Sequence, residues 1–303
     1  MADATRQDVE FAADGVTLRG WLFTPKDRTG PYPAIIMTHG FSAVKEMGLA
    51  DYAAVFAAAG LAVLVYDHRN LGASDGSPRY EIDPVAQLRD YGHAITFLAD
   101  RAEIDPARIG LWGTSYSGGI VLMAAAQDRR VRCVVAQVPF ISGYDTLMRP
   151  ATAEFRAQFQ ATQEAERQSL AAGSPPRLVP VCTKAPDAPP QPRGYSTYDY
   201  FHGFGDAVTA IWGNRITVRS QGLRQEYEAM PWLERIAPTP LLMIIAADDT
   251  ITPTDICLEA YARASAPKRL VTIPGGHYDP YLDGFAASSA AASDWFATHL
   301  SVI

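Results

Sequence analysis

Cysteine is scarce in this chain of 303 residues. The three cysteines, Cys133, Cys182 and Cys257, are widely spaced and form no C-x-x-C pair. A disulfide framework or a zinc site needs paired cysteines at short, regular spacings. We therefore expect no structural disulfide, no metal and no cofactor.

Basic residues are in the minority. Lys and Arg number 26 against 33 Asp and Glu, which gives a formal net charge of −7. Affinity for nucleic acid depends on dense Lys and Arg contacts to phosphates, and the sequence has no basic stripe. A nucleic-acid partner is therefore not expected.

Long apolar runs are missing as well. No stretch approaches the roughly 20 uninterrupted apolar residues of a membrane-spanning helix. The first ten residues, MADATRQDVE, are polar, unlike a secretory signal peptide. The sequence thus predicts a cytoplasmic protein without a membrane partner.

Short apolar runs alternate with longer amphipathic segments along most of the chain. Residues 9–25 alternate in two arms around Asp14-Gly15, which predicts a β-hairpin. The further runs lack alternation, as is typical of parallel strands covered on both faces; they span residues 33–38, 61–66, 108–112, 131–135, 240–246 and 268–273. Helices are predicted between them, over residues 51–59, 83–100 and 284–300. This order predicts an α/β fold with a mostly parallel, doubly wound sheet.

The alternation stops between residues 141 and 235. This interval contains a polar helical segment (152–171) and a segment (174–193) with seven prolines, which excludes an ordinary helix and favours an extended chain. Aromatic residues follow: Tyr195, Tyr198, Tyr200, Phe201, Phe204 and Trp212. A structureless insertion of this length would be unusual. We therefore interpret residues 141–235 as a cap over a site in a core formed by residues 1–140 and 236–303.

Ser115 lies in the most informative local sequence, GTSYSGG at residues 113–119. This motif directly follows the run RIGLW and precedes the apolar segment IVLMAAA. A tight strand-to-helix turn of this kind, a nucleophile elbow, presents the serine hydroxyl at the edge of a sheet. The common pattern has a glycine where this chain has Ser117, which is still a small residue.

A serine hydroxyl is a weak nucleophile and needs a neighbouring base. His277 follows the last apolar run in the sequence GGHY and is our candidate for that base. We interpret His39 as a structural or oxyanion-loop residue, and the other histidines as surface or core residues (His68, His93, His202 and His299). Asp248 and Asp249 follow the run 240–246, and either could orient the base.

An oxyanion hole needs two donors aimed at the tetrahedral oxygen. The backbone N–H of Tyr116, directly after Ser115, is one candidate. The backbone N–H of Phe41, in the sequence HGF after the run 33–38, is the other.

Together these motifs resemble the α/β-hydrolase superfamily. The similarity is carried by HGF at 39–41, YDHRNLGASDG at 66–76, GTSYSGG at 113–119, the Asp249 loop and GGH at 275–277. Within the superfamily, the serine motif is similar to that of X-Pro dipeptidyl peptidases and cocaine-esterase-like members. HGF and GGH resemble dienelactone-hydrolase-like proteins, although those have a cysteine nucleophile where this chain has Ser115. The sequence WGNRITVRS at 212–220 resembles polyketide transferases and thiohydrolases.

The resemblance implies an α/β-hydrolase fold with the chain order serine, acid, histidine. Asp249 matches the usual acid loop better than Asp248, because it lies four residues before Pro253, which opens the next helix. Asp249 would accept the Nδ1–H of His277 and stabilise the imidazolium.

Two aromatic residues of the cap, Tyr200 and Trp212, are candidates for the wall of an acyl pocket, although such clusters often belong to a core. Lys45 and Glu46, after the HGF loop, are expected to form a solvated ion pair.

The sequence predicts a serine hydrolase that cleaves a carboxylic ester or thioester of a small-molecule acyl substrate through an acyl-Ser115 intermediate. The alternatives are an acyltransferase or polyketide-releasing thioesterase, a prolyl-type peptidase, and a ligand receptor with slow turnover. The peptidase ranks lower because we see no extra β-rich domain in these residues. A homodimer is left open.

Overall fold

The computed structural model describes residues 4–26, 28–184 and 196–300. Within these ranges, eight strands form one sheet in the order β1-β2-β4-β3-β5-β6-β9-β10. These strands are β1 (Ala4–Ala13), β2 (Val16–Pro25), β3 (Tyr32–Thr38), β4 (Ala62–Tyr66), β5 (Ile104–Thr114), β6 (Val131–Gln137), β9 (Leu241–Ala246) and β10 (Lys268–Ile273). A second, antiparallel pair consists of β7 (Leu178–Pro180) and β8 (Arg215–Thr217).

The large sheet is mostly parallel. The β1–β2 hairpin and the β2–β4 pair are antiparallel, and every other neighbouring pair in this sheet is parallel. All residues of β4 and β9 are buried, because these uninterrupted apolar strands are covered by helices on both faces. The predicted doubly wound α/β fold and its N-terminal hairpin are confirmed.

Helices cover both faces of this sheet. The α-helices of the described residues are, in chain order, α1 (Leu49–Ala58), α2 (Pro84–Ala99), α3 (Tyr116–Gln127), α4 (Gly143–Met148), α5 (Ala153–Ala171), α6 (Thr197–His202), α7 (Asp206–Trp212), α8 (Val218–Gln225), α9 (Thr254–Arg263) and α10 (Phe285–Leu300). One apolar core includes residues of α2, α3 and α9, and a second includes residues of α1 and α10. The carboxylate of Asp83 caps α2 by accepting the N–H groups of Val85 and Ala86, which satisfies donors that the helix leaves free.

The elements from α4 to α8, with β7 and β8, lie between β6 and β9 in the chain and add no strand to the large sheet. The predicted polar helix is confirmed as α5, with Thr152 as its N-cap. The proline-rich segment is extended at β7. Residues 185–195, which include the predicted aromatic residue Tyr195, lie outside the described residues.

None of the helices in the described ranges is long and apolar enough to cross a membrane.

Candidate active site

Ser115 lies at the sharp turn between β5 and α3. Its backbone has φ 55° and ψ −119°, a conformation that is costly for a residue with a side chain. A Cβ atom on Gly113 would lie 2.2 Å from the carbonyl oxygen of Ser117, so the turn closes only with glycine at position 113. The hydroxyl of Ser117 accepts the N–H of Thr114 and donates to the carbonyl of Thr38, both at 2.9 Å. A serine at this position therefore ties the elbow to β3.

Backbone hydrogen bonds hold this strained turn in place. The N–H of Ser115 donates to the carbonyl of Gln137, and the carbonyl of Ser115 accepts the N–H of Phe140, both at 2.8 Å. A Cβ atom on Gly119 would lie 2.0 Å from the carbonyl oxygen of Phe140. Helix α3 thus packs closely on the segment after β6, and the orientation of Ser115 is fixed from both sides.

His277 lies beside Ser115 in the turn after β10. Its Nε2 is 3.0 Å from the Oγ of Ser115, which is within hydrogen-bond reach of a base and its nucleophile. The turn needs glycine at position 275, where φ is +99° and a Cβ would lie 2.4 Å from the carboxyl carbon of Asp279. That carboxylate accepts the N–H of Gly276 at 2.8 Å. Asp279 therefore shapes the turn that presents His277.

Asp249, and not its neighbour Asp248, contacts the histidine. The Oδ2 of Asp249 is 2.7 Å from the Nδ1 of His277, whereas Asp248 is exposed. The Oδ1 of Asp249 accepts the backbone N–H groups of Ile251 and Thr252, each at 2.8 Å. Burial by itself raises the pKa of Asp249, but the contact with His277 and the bonds from Thr252 outweigh it and hold the pKa below its usual value. The carboxylate is thus kept in the form that accepts a proton-bearing Nδ1.

The HGF loop lies against Ser115. A Cβ atom on Gly40 would lie 3.3 Å from the Cβ of Ser115 and 3.7 Å from its Oγ. The ring of Phe41 contacts the ring of Tyr116 edge-on, with centroids 5.6 Å apart. As the first residue of α3, Tyr116 has a backbone N–H without an acceptor inside the helix. Both candidate oxyanion donors therefore belong to segments that border Ser115.

His39 is buried beneath this loop. Its Nε2 accepts the backbone N–H of His68 at 3.2 Å, and burial lowers the pKa of His39 although Asp67 opposes this effect. A neutral, hydrogen-bonded imidazole at this place fits the structural role predicted for His39.

The predicted ion pair between Lys45 and Glu46 forms, at 2.8 Å, but it is not solvated at Lys45. Lys45 is buried, and its backbone N–H and its Nζ each lie 2.7 Å from the carboxylate of Asp67. Asp67 also accepts the N–H of Ala73 at 2.9 Å. Burial lowers the pKa of Lys45, but Asp67 and Glu46 together outweigh this effect and the net pKa is raised. The sequence does not reveal this contact because Asp67 comes from another loop, after β4.

A cavity of about 290 Å³ opens onto Ser115 and His277. Its other walls come from the HGF loop, from the turn at residues 278–281, and from the elements between β6 and β9. Apolar and aromatic side chains dominate this lining, as is usual for sites that bind small organic molecules. Such a cavity can exclude water from an acyl chain attached to Ser115.

The structure separates the two aromatic residues that were predicted to bound the pocket. Tyr200 lines the cavity and stacks on Tyr278 with ring centroids 4.4 Å apart. Trp212 is only 2% exposed and is not among the described lining residues; it stacks on Phe201 at 4.7 Å. Trp212 therefore does not belong to the described wall of the cavity, which its stacking partner Phe201 lines instead. Trp212 belongs to an apolar cluster with Ala43, Val44 and Met47.

No metal centre is formed in the part of the chain that the structure describes, where no three His, Cys, Asp or Glu side chains could hold an ion. Cys133 and Cys257 are buried, and burial raises the pKa of both thiols. The thiolate, which is the nucleophilic and metal-binding form, is therefore disfavoured at both positions.

Comparison with known proteins shows extended similarity to enzymes of one family. Residues 14–279 match the family described as X-Pro dipeptidyl-peptidase (S15 family). A thiohydrolase of Eupenicillium brefeldianum is 36% identical over 282 residues, which cover 91% of this chain and 88% of that protein. A polyketide transferase of Stachybotrys chlorohalonatus is 32% identical over 281 residues, which cover 89% of each chain.

Solved structures show the same relationship. The α/β hydrolase GrgF from Penicillium sp. sh18 has a TM-score of 0.82 and 30% sequence identity, covering 98% of this chain and all of that chain. A protein of Pseudomonas aeruginosa has a TM-score of 0.85 and 27% identity, covering 99% of this chain and 95% of that one. These matches confirm the predicted α/β-hydrolase fold and superfamily. The chain belongs to the X-Pro dipeptidyl-peptidase (S15) family of α/β hydrolases.

Proposed function

We propose that this protein is a serine hydrolase that cleaves a carboxylic ester or thioester, with Ser115 as nucleophile, His277 as base and Asp249 as the orienting acid. Two close contacts support this proposal. Ser115 Oγ lies 3.0 Å from His277 Nε2, and His277 Nδ1 lies 2.7 Å from Asp249 Oδ2. This arrangement activates a hydroxyl at neutral pH.

In the first half of the proposed reaction, Ser115 Oγ attacks the substrate carbonyl and passes its proton to His277 Nε2. The carbonyl oxygen becomes an oxyanion that the N–H groups of Phe41 and Tyr116 bind, each contributing about 3 kcal/mol. His277 then gives the proton to the departing alcohol or thiol. The carbonyl double bond re-forms and leaves an acyl group on Ser115.

The second half repeats these steps with water. His277 takes a proton from the water as it attacks the acyl-Ser115 carbonyl, and returns that proton to Ser115 Oγ when the carboxylic acid leaves. Asp249 stabilises the imidazolium in both halves without becoming protonated. Atoms and charges balance with no cofactor.

Acyl transfer to an alcohol or amine is the second candidate. In this reading, the cavity next to Ser115 keeps bulk water away from the acyl group. Relatives of this chain are named polyketide transferases as well as thiohydrolases. An acceptor that competes with water for the acyl-Ser115 intermediate would divert the product from acid to ester or amide.

The charge of the cavity disfavours a dipeptidyl peptidase. Such an enzyme must bind the free α-ammonium group of its substrate, for which a carboxylate is the natural partner. No Asp or Glu is among the described residues that line the cavity. We therefore place ester or thioester cleavage ahead of peptide cleavage.

We propose that residues 141–235 act as a cap over this cavity, because Tyr200, Phe201 and Ile216 from that interval line it. The homodimer and the cytoplasmic location stay predictions.

The proposed function is tested by comparing wild-type protein with Ser115→Ala on 4-nitrophenyl hexanoate and on the N-acetylcysteamine thioester of hexanoic acid. Loss of the nucleophile is expected to lower turnover by about 10³-fold or more on both substrates. Ser174→Ala is a matched control, because Ser174 is exposed and is not among the described residues that line the cavity; it is expected to keep wild-type rates. Near-normal turnover in folded Ser115→Ala protein would overturn the assignment.

A further inference from the structure

The cavity next to Ser115 contains a guanidinium group that the proposed chemistry does not use. Helix α8 presents Gln221 and Arg224, about one turn apart, to this cavity. Among the described lining residues, Arg224 is the only one with a permanent charge. A Cβ atom on Gly143 would lie 1.9 Å from the carbonyl oxygen of Arg224. Close packing against α4 therefore fixes the backbone from which this side chain projects.

The flat face of the Arg224 guanidinium has a partner among the residues that the structure describes, whereas its N–H groups have none there. Its central carbon lies 4.6 Å from the ring centroid of Phe41, which is a cation–π contact. Its Nε is buried without an acceptor, and no hydrogen bond or ion pair joins the guanidinium to a described residue. A buried N–H without an acceptor is destabilising, so the arrangement calls for a ligand that supplies oxygen atoms.

Another arginine of the same helix shows the contrast. Arg219 is not among the described residues that line the cavity and forms an ion pair with Glu81 at 3.1 Å, with half of its side chain exposed. Among the described residues, helix α8 therefore pairs Arg219 with a carboxylate and leaves Arg224 without one.

We propose that Arg224 binds a carboxylate of the substrate inside the cavity that contains Ser115. A guanidinium offers its N–H groups in a planar fork that matches the two oxygens of a carboxylate. The stacking on Phe41 leaves the edge of that fork available. This inference rests on the proposed function and adds to it a substrate class: esters or thioesters that carry a negative charge on the acyl chain or on the leaving group.

Burial lowers the pKa of Arg224 to about 10. The guanidinium therefore remains charged at neutral pH and can pair with a carboxylate there.

The test compares substrates that differ by one carboxylate. Mono-4-nitrophenyl adipate and 4-nitrophenyl hexanoate have six-carbon acyl chains that end in a carboxylate and a methyl group. The hexanoyl ester of 5-hydroxy-2-nitrobenzoate places the carboxylate on the leaving group instead. For each anionic ester, kcat/KM is divided by kcat/KM for 4-nitrophenyl hexanoate, so that changes common to all esters cancel.

Arg224→Gln is expected to lower this ratio by about 30-fold or more for one of the two anionic esters, because it removes one partner of a desolvated charge pair. The ester that responds identifies whether the acyl chain or the leaving group carries the carboxylate. Arg224→Lys, which keeps the charge but loses the fork, is expected to give an intermediate ratio. Arg219→Gln is the control from the same helix and is expected to keep the wild-type ratios. Unchanged ratios for both anionic esters in Arg224→Gln would overturn the proposal.

A binding measurement separates this inference from the proposed function. Calorimetric titration of Ser115→Ala protein with adipate and with 5-hydroxy-2-nitrobenzoate, the acids that correspond to the two anionic esters, needs no turnover. Binding of at least one of them is expected to weaken about 30-fold or more when Arg224→Gln is added. Equal binding with and without Arg224 would contradict the inference even if the esters are hydrolysed. Failure of wild-type protein to hydrolyse any ester, with adipate binding intact, would contradict the proposed function alone. If Arg224→Gln does not fold, Arg224→Lys replaces it in the titration. Weaker binding by the protein with Arg224→Lys then supports the inference, and equal binding contradicts it.

Discussion

The hydroxyl of Thr252 lies 2.8 Å from the Oδ2 of Asp249, on the same carboxylate oxygen that contacts the histidine. This hydroxyl is also 3.1 Å from His277 Nδ1 and 3.0 Å from the carbonyl oxygen of Val138. It has one hydrogen to donate, so it bonds to Asp249 or to Val138 at any moment. Thr252 is therefore a positioning residue that holds the carboxylate in line with His277.

Thr252→Val is expected to lower kcat/KM about tenfold, because Asp249 loses one of its donors and a hydrogen bond to a charged group is worth about 1.5 kcal/mol or more. Thr252→Ser keeps the hydroxyl and is expected to restore most of the activity. Steady-state kinetics on 4-nitrophenyl hexanoate checks both variants. Equal losses in the two variants would show that the methyl group, through packing, matters more than the hydroxyl.

The two adjacent aspartates are expected to differ sharply. Asp249→Asn should lower kcat by about 10⁴-fold by favouring the wrong tautomer of His277. Asp248→Asn should have little effect, because that side chain is exposed. Stopped-flow or steady-state rates at about pH 7.5 measure the difference. A larger loss in Asp248→Asn would mean that the acid loop is assigned one residue out of place.

Substitutions of Trp212 and Tyr200 are expected to have different effects, because Trp212 is buried and Tyr200 lines the cavity. Trp212→Ala should reduce the free energy of unfolding by about 3–5 kcal/mol, as for other large core truncations, and lower kcat/KM equally for short and long esters. Tyr200→Ala should instead change the ratio of octanoate to acetate hydrolysis about tenfold, because Tyr200 borders the cavity. Urea unfolding and a series of 4-nitrophenyl esters measure both effects. A chain-length effect confined to Trp212→Ala would contradict this division.

Local sequence patterns predicted the structural features that a few consecutive residues determine. The glycine-rich elbow around Ser115, the buried strands and the helix capped by Asp83 each follow from a few consecutive residues. The choice of Asp249 over Asp248 came from its distance to Pro253, and the structure places Asp249 beside His277.

Contacts between distant segments were not predictable in this way. Arg224 and Lys45 contact partners far away in sequence, Phe41 and Asp67, and no periodicity marks such a pair. Trp212 was predicted to lie at the pocket because aromatic residues often line pockets, but they also fill cores. The burial of Trp212 and its absence from the described lining of the cavity distinguish these roles.

Stability is expected to depend on pH through Asp249. Its folded-state pKa lies below the ordinary value, so the ionised form stabilises the fold fully above the unfolded pKa of about 4 and loses this contribution as the pH falls through the folded value. The difference in free energy of unfolding between wild-type protein and Asp249→Asn should therefore shrink from about pH 5 to about pH 3. Urea unfolding at both pH values checks this. A difference that grows on acidification would reverse the assigned sign.

The most direct test of the central claim is peptide mass spectrometry of protein quenched with acid during turnover of 4-nitrophenyl hexanoate. We expect one hexanoyl group on the peptide that contains Ser115, formed at a rate sufficient to account for turnover and absent from Ser115→Ala. A hexanoyl group on another residue, or continued turnover by Ser115→Ala without any acylated peptide, would contradict the account.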